Sequence, residues 1–68
     1  MPLIQIHLVQ GRDRPTLRKL AKRVTDTVEE VLDAPRESIR VQINEMDPEF
    51  WVVGGQSVAE RRAASGQA

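Results

Sequence analysis

The chain contains no cysteine and no tyrosine, and its aromatic side chains are one phenylalanine and one tryptophan. Without cysteine there is no disulfide to staple a small fold and no thiolate to hold a metal. Net charge is missing as well, since ten Lys and Arg balance ten Asp and Glu. That balance removes the whole-chain field that draws a protein to nucleic acid or to an anionic membrane. Apolar runs last only a few residues, too short to span a bilayer. The opening residues lack the basic-then-apolar layout of a signal peptide, so a cytoplasmic protein is expected. The lone histidine, His7, has no second ligand or base partner that can be named, and it reads as structural or exposed.

What is present is small. Sixty-eight residues make one domain with seventeen Ile, Leu and Val side chains, a thin supply for a core at this length. With disulfides and Cys-bound metal excluded, oligomerisation is the remaining source of stability. Residues 1–57 carry the patterned segments. Residues 58–68 turn polar and small, which reads as a tail ordered only where it meets another subunit.

Hydrophobic periodicity orders the first part as strand, helix, strand. From Leu3 to Val9 the pattern has period two, with Ile4, Ile6 and Leu8 on one face and Leu3, Gln5, His7 and Val9 on the other. Gln10-Gly11 breaks it. Asp13 and Pro15 suit a helix opening, with the Asp carboxylate expected to accept from a free backbone N–H. A helix is predicted from about Arg14 to about Asp33, because Leu17, Leu20, Ala21, Val24, Val28, Val31 and Leu32 recur three and four apart as one stripe. Its charged side reads as a solvated face. Ala34-Pro35 ends the helix, and Ile39 to Glu45 alternates again. Two strands joined by a helix form one βαβ unit with a parallel pair. Phe50-Trp51-Val52-Val53 followed by Gly54-Gly55 reads as a small hairpin. The expected fold is therefore α/β: a β-α-β unit with a C-terminal hairpin, whose two-stranded sheet is completed by oligomerisation.

The chemistry concentrates at the start. An initiator Met before Pro is normally trimmed, which leaves Pro2 as the terminus with a free secondary amine. At the edge of a strand such a base is fixed in place. An ordinary α-amine titrates near 8 and is mostly protonated at neutral pH. A guanidinium about 6 Å away disfavours the ammonium by roughly 2.8 kcal/mol at an effective dielectric near 20, about two pKa units. In bulk water the same neighbour gives only about half a unit. A free amine at pH 7 therefore needs both an arginine and a dry pocket. Arg12, where the first strand ends, and Arg40, near the start of the second, are the candidate cations. Their forks also bind carboxylates in bidentate fashion. Either arginine alone reads as an ordinary surface residue; beside a proline terminus they read as a site. Trp51 and Phe50 pack a core or interface, or one of them walls the pocket. Glu45 ends a strand and is available as an acid, though nothing in the sequence requires it.

Taken together, Met-Pro, the strand ending in Gly11-Arg12, the long amphipathic helix, Asp33-Ala34-Pro35, Ile39-Arg40-Val41, Glu45-Met46 and Gly54-Gly55 resemble the 4-oxalocrotonate tautomerase family. The resemblance covers Pro2 to about Ser57. It implies a homohexamer, a trimer of dimers, in which each active site draws groups from different subunits. It implies Pro2 as general base, moving a proton between enol oxygen and carbon of a 2-hydroxydienoate to give the conjugated 2-oxo acid, without a cofactor. Arg12 and Arg40 match the family's two substrate-binding arginines, and the pocket aromatic falls on Trp51. The chain departs from the commoner pattern with Trp at 51, Val at 52, Asp47-Pro48 in the preceding loop and a long tail. A bulkier pocket wall points toward a monocarboxylic or larger substrate. Three rivals stand beside this reading. A hydratase or dehalogenase of an unsaturated acid keeps the same Pro2 site but lacks an assignable water-activating group. A non-catalytic oligomeric binding module makes Pro2 incidental. A strand-based DNA binder is opposed by the neutral charge.

Overall fold

The computed structural model describes residues 2–66. β1 (Leu3–Val9) leads through Gly11 into α1 (Arg14–Leu32), and one 3₁₀ turn (Arg36–Ser38) leads into β2 (Arg40–Met46). β3 (Val52–Val53), β4 (Gln56–Ser57) and α2 (Val58–Ala64) follow. β1 and β2 pair in parallel from Leu3↔Arg40 to Val9↔Met46, and Gln10 N–H extends the ladder to the Met46 carbonyl at 2.9 Å. Partners in a parallel ladder share a face. Ile4/Val41 and Ile6/Ile43 therefore line the apolar side, half-buried, with α1 packed chiefly over β2. The other side presents Leu3/Arg40, Gln5/Gln42, His7/Asn44 and Val9/Met46 and is largely open, with Gln5 Nε2 donating to Gln42 Oε1 at 3.2 Å.

The helix ends match the sequence to within a residue, but the cap does not. Asp13 occupies the N-cap position without a side-chain bond to the helix backbone. Its carboxylate instead accepts the Thr16 hydroxyl at 2.6 Å, and its backbone carbonyl accepts Leu17 N–H at 3.2 Å. The Thr16 hydrogen bond holds the Asp13 carboxyl below its ordinary titration range. At the other end Asp33 takes the left-handed conformation (φ 52°) that closes a helix, and Pro35 prevents its continuation. β2 is displaced by one residue from the expected span, starting at Arg40 and including Met46. Gly54 and Gly55, at φ 60° and 85°, supply the two positive-φ positions that a two-residue hairpin loop demands between β3 and β4.

Within the polar stretch after Ser57, which the sequence presents as a tail, Val58–Ala64 form a helix. Ser57 is buried at 2% exposure. Its hydroxyl accepts Glu60 N–H at 3.1 Å, while Glu60 Oε1 accepts Ser57 N–H at 3.0 Å, a reciprocal capping box. The hydrogen bond from the Ser57 backbone lowers the pKa of Glu60. A depressed carboxylate stabilises the fold fully above its unfolded value, here the ordinary 4.5, and that contribution is lost as pH falls through the folded value. Ser57→Ala should cost about 1 kcal/mol of α2 stability, read as lost helicity by circular dichroism; wild-type helicity in that variant would remove the cap from the account. Acidification of the wild type below pH 4.5 should loosen the same helix.

Among the described residues no closed core forms within one chain. Leu17, at 8% exposure, is the one buried apolar side chain among the described residues. Val31, Leu32, Phe50 and Val52 are each more than half exposed. The radius of gyration is 15.5 Å, against about 11 Å for a compact chain of this length. The surface is 5282 Å², against about 4,300 Å² for a compact monomer. The excess has a shape: β3, β4 and α2 make an arm that packs on itself and little on the β1–α1–β2 body.

Candidate active site

Pro2 precedes β1, where the missing N–H of a proline costs the ladder nothing. Its carbonyl accepts Arg40 N–H at 3.0 Å, so the residue is half-buried and held by the first rung of the sheet. Arg40 is exposed on the open face, and its Nη1 donates to the Glu37 carbonyl at 3.1 Å. Pro2 and Arg40 thus meet at one end of the ladder.

Arg12 and Trp51 leave from the other end. Gly11, at φ 143°, takes a backbone conformation that L side chains rarely adopt, turning the chain off β1. Arg12 then folds back so that its Nη1 donates to the Val9 carbonyl at 3.3 Å. Beyond Met46, the Asp47 side chain accepts Glu49 N–H and its carbonyl accepts Phe50 N–H, each at 2.9 Å, forming the turn that delivers Trp51. The Trp51 carbonyl accepts Val58 N–H at 2.9 Å and the Pro48 carbonyl accepts Ala59 N–H at 3.1 Å. The start of α2 therefore fixes the backbone around Trp51, whose side chain is half-buried while Phe50 is 75% exposed. Six strand steps at about 3.3 Å put the two ends of β1 about 20 Å apart. Within one protomer Arg12 cannot approach Pro2.

The charges support a binding role. Among the described residues the ion pairs all belong to Arg36, which contacts Asp26 at 2.8 Å and Glu29 at 3.0 Å. Neither Arg12 nor Arg40 pairs with a carboxylate among those residues, and each has one hydrogen bond to a backbone carbonyl. A guanidinium has five donors, so both forks retain most of their capacity for an anion.

Two residues weighed from the sequence fall elsewhere. His7 is exposed on the open face opposite Asn44 in the ladder. Glu45 is on the helix side and lines an open cleft of about 340 Å³ with Arg14, Arg18 and the apolar floor of Leu17, Val41 and Ile43. None of Pro2, Arg12, Arg40 and Trp51 borders that cleft.

Comparison with known proteins bears on the whole assembly of elements. The family model described as tautomerase enzyme matches residues 2–61. The 2-hydroxymuconate tautomerase of Stutzerimonas stutzeri is 39% identical over 57 residues, covering 84% of this chain and 90% of that protein. The structure of TomN, a 4-oxalocrotonate tautomerase homologue in the tomaymycin biosynthetic pathway, superposes with a TM-score of 0.87 at 45% identity, over 91% of this chain and 95% of TomN. A structure from work on the 4-oxalocrotonate tautomerase isozymes of Methylibium petroleiphilum gives a TM-score of 0.88 at 36% identity, over 93% of this chain and 98% of its own. The family model spans the leading proline, both parallel strands, the hairpin and half of α2, and these relatives match over nearly their full lengths: the chain belongs to the tautomerase family of isomerases.

Proposed function

We propose that the chain interconverts enol and keto forms of a 2-hydroxydienoate, a 2-hydroxymuconate-type acid, with the free amine of Pro2 as general base. The amine takes the proton from the 2-hydroxyl, the oxygen lone pair closes the carbonyl, and the displaced π electrons leave a conjugated carbanion. The prolinium then returns that proton to carbon, so atoms and charge balance without an oxidant or a cofactor. Arg40 binds the carboxylate and 2-oxo end and stabilises the developing dienolate; Arg12 holds the far end of the substrate. Trp51 walls the pocket and lowers its dielectric, which strengthens the effect of both cations on the amine.

The observation that carries this reading is the hydrogen bond from Arg40 N–H to the Pro2 carbonyl. It ties the residue bearing the base to a residue whose guanidinium has no carboxylate partner among the described residues. The separation of Arg12 from Pro2 supports a second part of the proposal, that the working form is a homohexamer with sites shared between subunits. The exposed apolar residues and the extended arm support it as well.

The test is ketonisation of 2-hydroxymuconate by the processed protein, followed by absorbance, with 2-hydroxy-2,4-pentadienoate as the monoacid comparison. A kcat/KM of about 10⁴ M⁻¹s⁻¹ or more on the diacid is expected, with the monoacid weaker because it leaves one arginine unengaged. Two guanidinium forks with donors to spare and the 2-hydroxymuconate tautomerase relative outweigh the monocarboxylic expectation drawn from the bulk of Trp51. Preference for the monoacid would assign the pocket to monocarboxylic substrates. Inertness toward both would overturn the assignment. The ascending limb of the pH–rate profile should follow the amine, about two units below an ordinary terminus, and nitrogen-15 titration of Pro2 should return the same value.

A further inference from the structure

Arg36 differs from the chain's other cations. Its Nη1 lies 2.8 Å from Asp26 Oδ1 and 3.0 Å from Glu29 Oε1. Those carboxylates are three residues apart on α1, hence on one side of it, while Arg36 opens the 3₁₀ turn after the helix. One guanidinium therefore clips the second half of α1 to that turn. The hydrogen bond that Arg36 donates to Asp26 is the main cause of the raised pKa of Arg36.

The turn beyond the clip is tightly closed. Ser38 donates both its N–H (2.9 Å) and its hydroxyl (2.7 Å) to the Pro35 carbonyl, and Ile39 N–H donates to the Arg36 carbonyl at 3.1 Å. The Glu37 carbonyl points out of this set and accepts the Arg40 guanidinium at 3.1 Å. Arg40 N–H in turn holds the Pro2 carbonyl. A continuous series of polar contacts thus runs from Asp26 and Glu29 through Arg36, the turn and Arg40 to Pro2.

We propose that Arg36 is a positioning residue for the reaction: by clipping the 3₁₀ turn to α1 it fixes the Glu37 carbonyl, which aims the Arg40 guanidinium at the substrate. This rests on the role of Arg40 proposed above. The three side chains are 42, 51 and 43% exposed, a setting in which ion pairs add little to global stability. Their effect is local, on the geometry of one loop. Misplacing a catalytic group by a fraction of an ångström is enough to slow a reaction measurably.

Arg36→Ala should lower kcat about tenfold, with KM and Tm nearly unchanged. Asp26→Asn with Glu29→Gln, which leaves Arg36 in place, should give the same loss, and Arg36→Lys should recover part of it. The decisive readout is non-additivity: on an Arg40→Ala background, Arg36→Ala should change kcat no further. A kcat within about twofold of wild type in Arg36→Ala, or the full loss repeated on the Arg40→Ala background, would overturn the proposal. Wild-type kcat in Arg40→Ala alone would instead remove Arg40 from the site, and the positioning role would fall with it.

Discussion

One residue added ahead of Pro2 is expected to abolish turnover while leaving the fold and the oligomer intact. The added peptide bond turns a basic secondary amine into an amide nitrogen with no proton affinity at working pH, and general-base catalysis contributes about 10²- to 10⁴-fold. The loss should fall wholly on kcat and should not respond to pH. The fold has little reason to notice, because β1 begins at Leu3 and the described hydrogen bond of Pro2 is made by its carbonyl, which the extension does not touch. Pro2→Ala, trimmed to its own terminus, is the control. It keeps a free amine, a primary one that titrates near 8, and should retain more activity than the extended chain. Intact mass identifies each terminus, sedimentation checks the assembly, and absorbance follows ketonisation. Undiminished turnover by the extended protein would sink the base assignment and leave Pro2 as a structural residue. Met1 itself lies outside the described residues, so the mass measurement is part of the test.

How far the sequence carries can be judged element by element. The period-two runs around Ile4-Ile6-Leu8 and Val41-Ile43 and the three-four stripe from Leu17 to Leu32 point to the β-α-β unit, because each gathers its apolar side chains on one face. Gly54-Gly55 announces the hairpin by its backbone requirement alone. α2 escapes this logic, since Val58 is its one strongly apolar residue and amphipathic spacing has nothing to register. The available signal was Ser57 followed three residues later by Glu60, a capping box ahead of helix-favouring Ala, Glu and Arg. The Arg36 clip is invisible for a different reason: its partners lie seven and ten residues back, across a helix end whose geometry only coordinates supply. Pro2, Arg12, Arg40 and Trp51 are selectable from the chemistry of a proline terminus and the family resemblance. The separation of Pro2 from Arg12 follows from the length of β1 between them, whereas the exact pairing of Leu3 with Arg40, which brings Pro2 and Arg40 together, is stated by no residue pattern.

That division yields the second large effect. Arg40→Ala is expected to lower kcat by about 10²- to 10³-fold, the usual consequence of removing a group that stabilises a developing oxyanion. Arg12→Ala should act mainly on KM for the diacid, since it holds the end of the substrate where no charge develops. A wild-type kcat in Arg40→Ala, or a wild-type KM for the diacid in Arg12→Ala, would remove that arginine from the site. The placement of Arg12 about 20 Å from Pro2 along β1 adds a sharper test than either substitution alone. Mixing the Pro2-extended chain with the Arg12→Ala chain, after unfolding and joint refolding, combines two inactive or impaired proteins. If each site takes Pro2 from one subunit and Arg12 from another, random assembly gives intact sites at about a quarter of positions, each pairing the free proline of one variant with the arginine of the other. If Arg12 served the Pro2 of its own chain, no mixture could regenerate an intact site, because every chain carries one lesion. Recovery of diacid turnover with a wild-type KM therefore requires a shared site, and an activity that is only the average of the two parents excludes it.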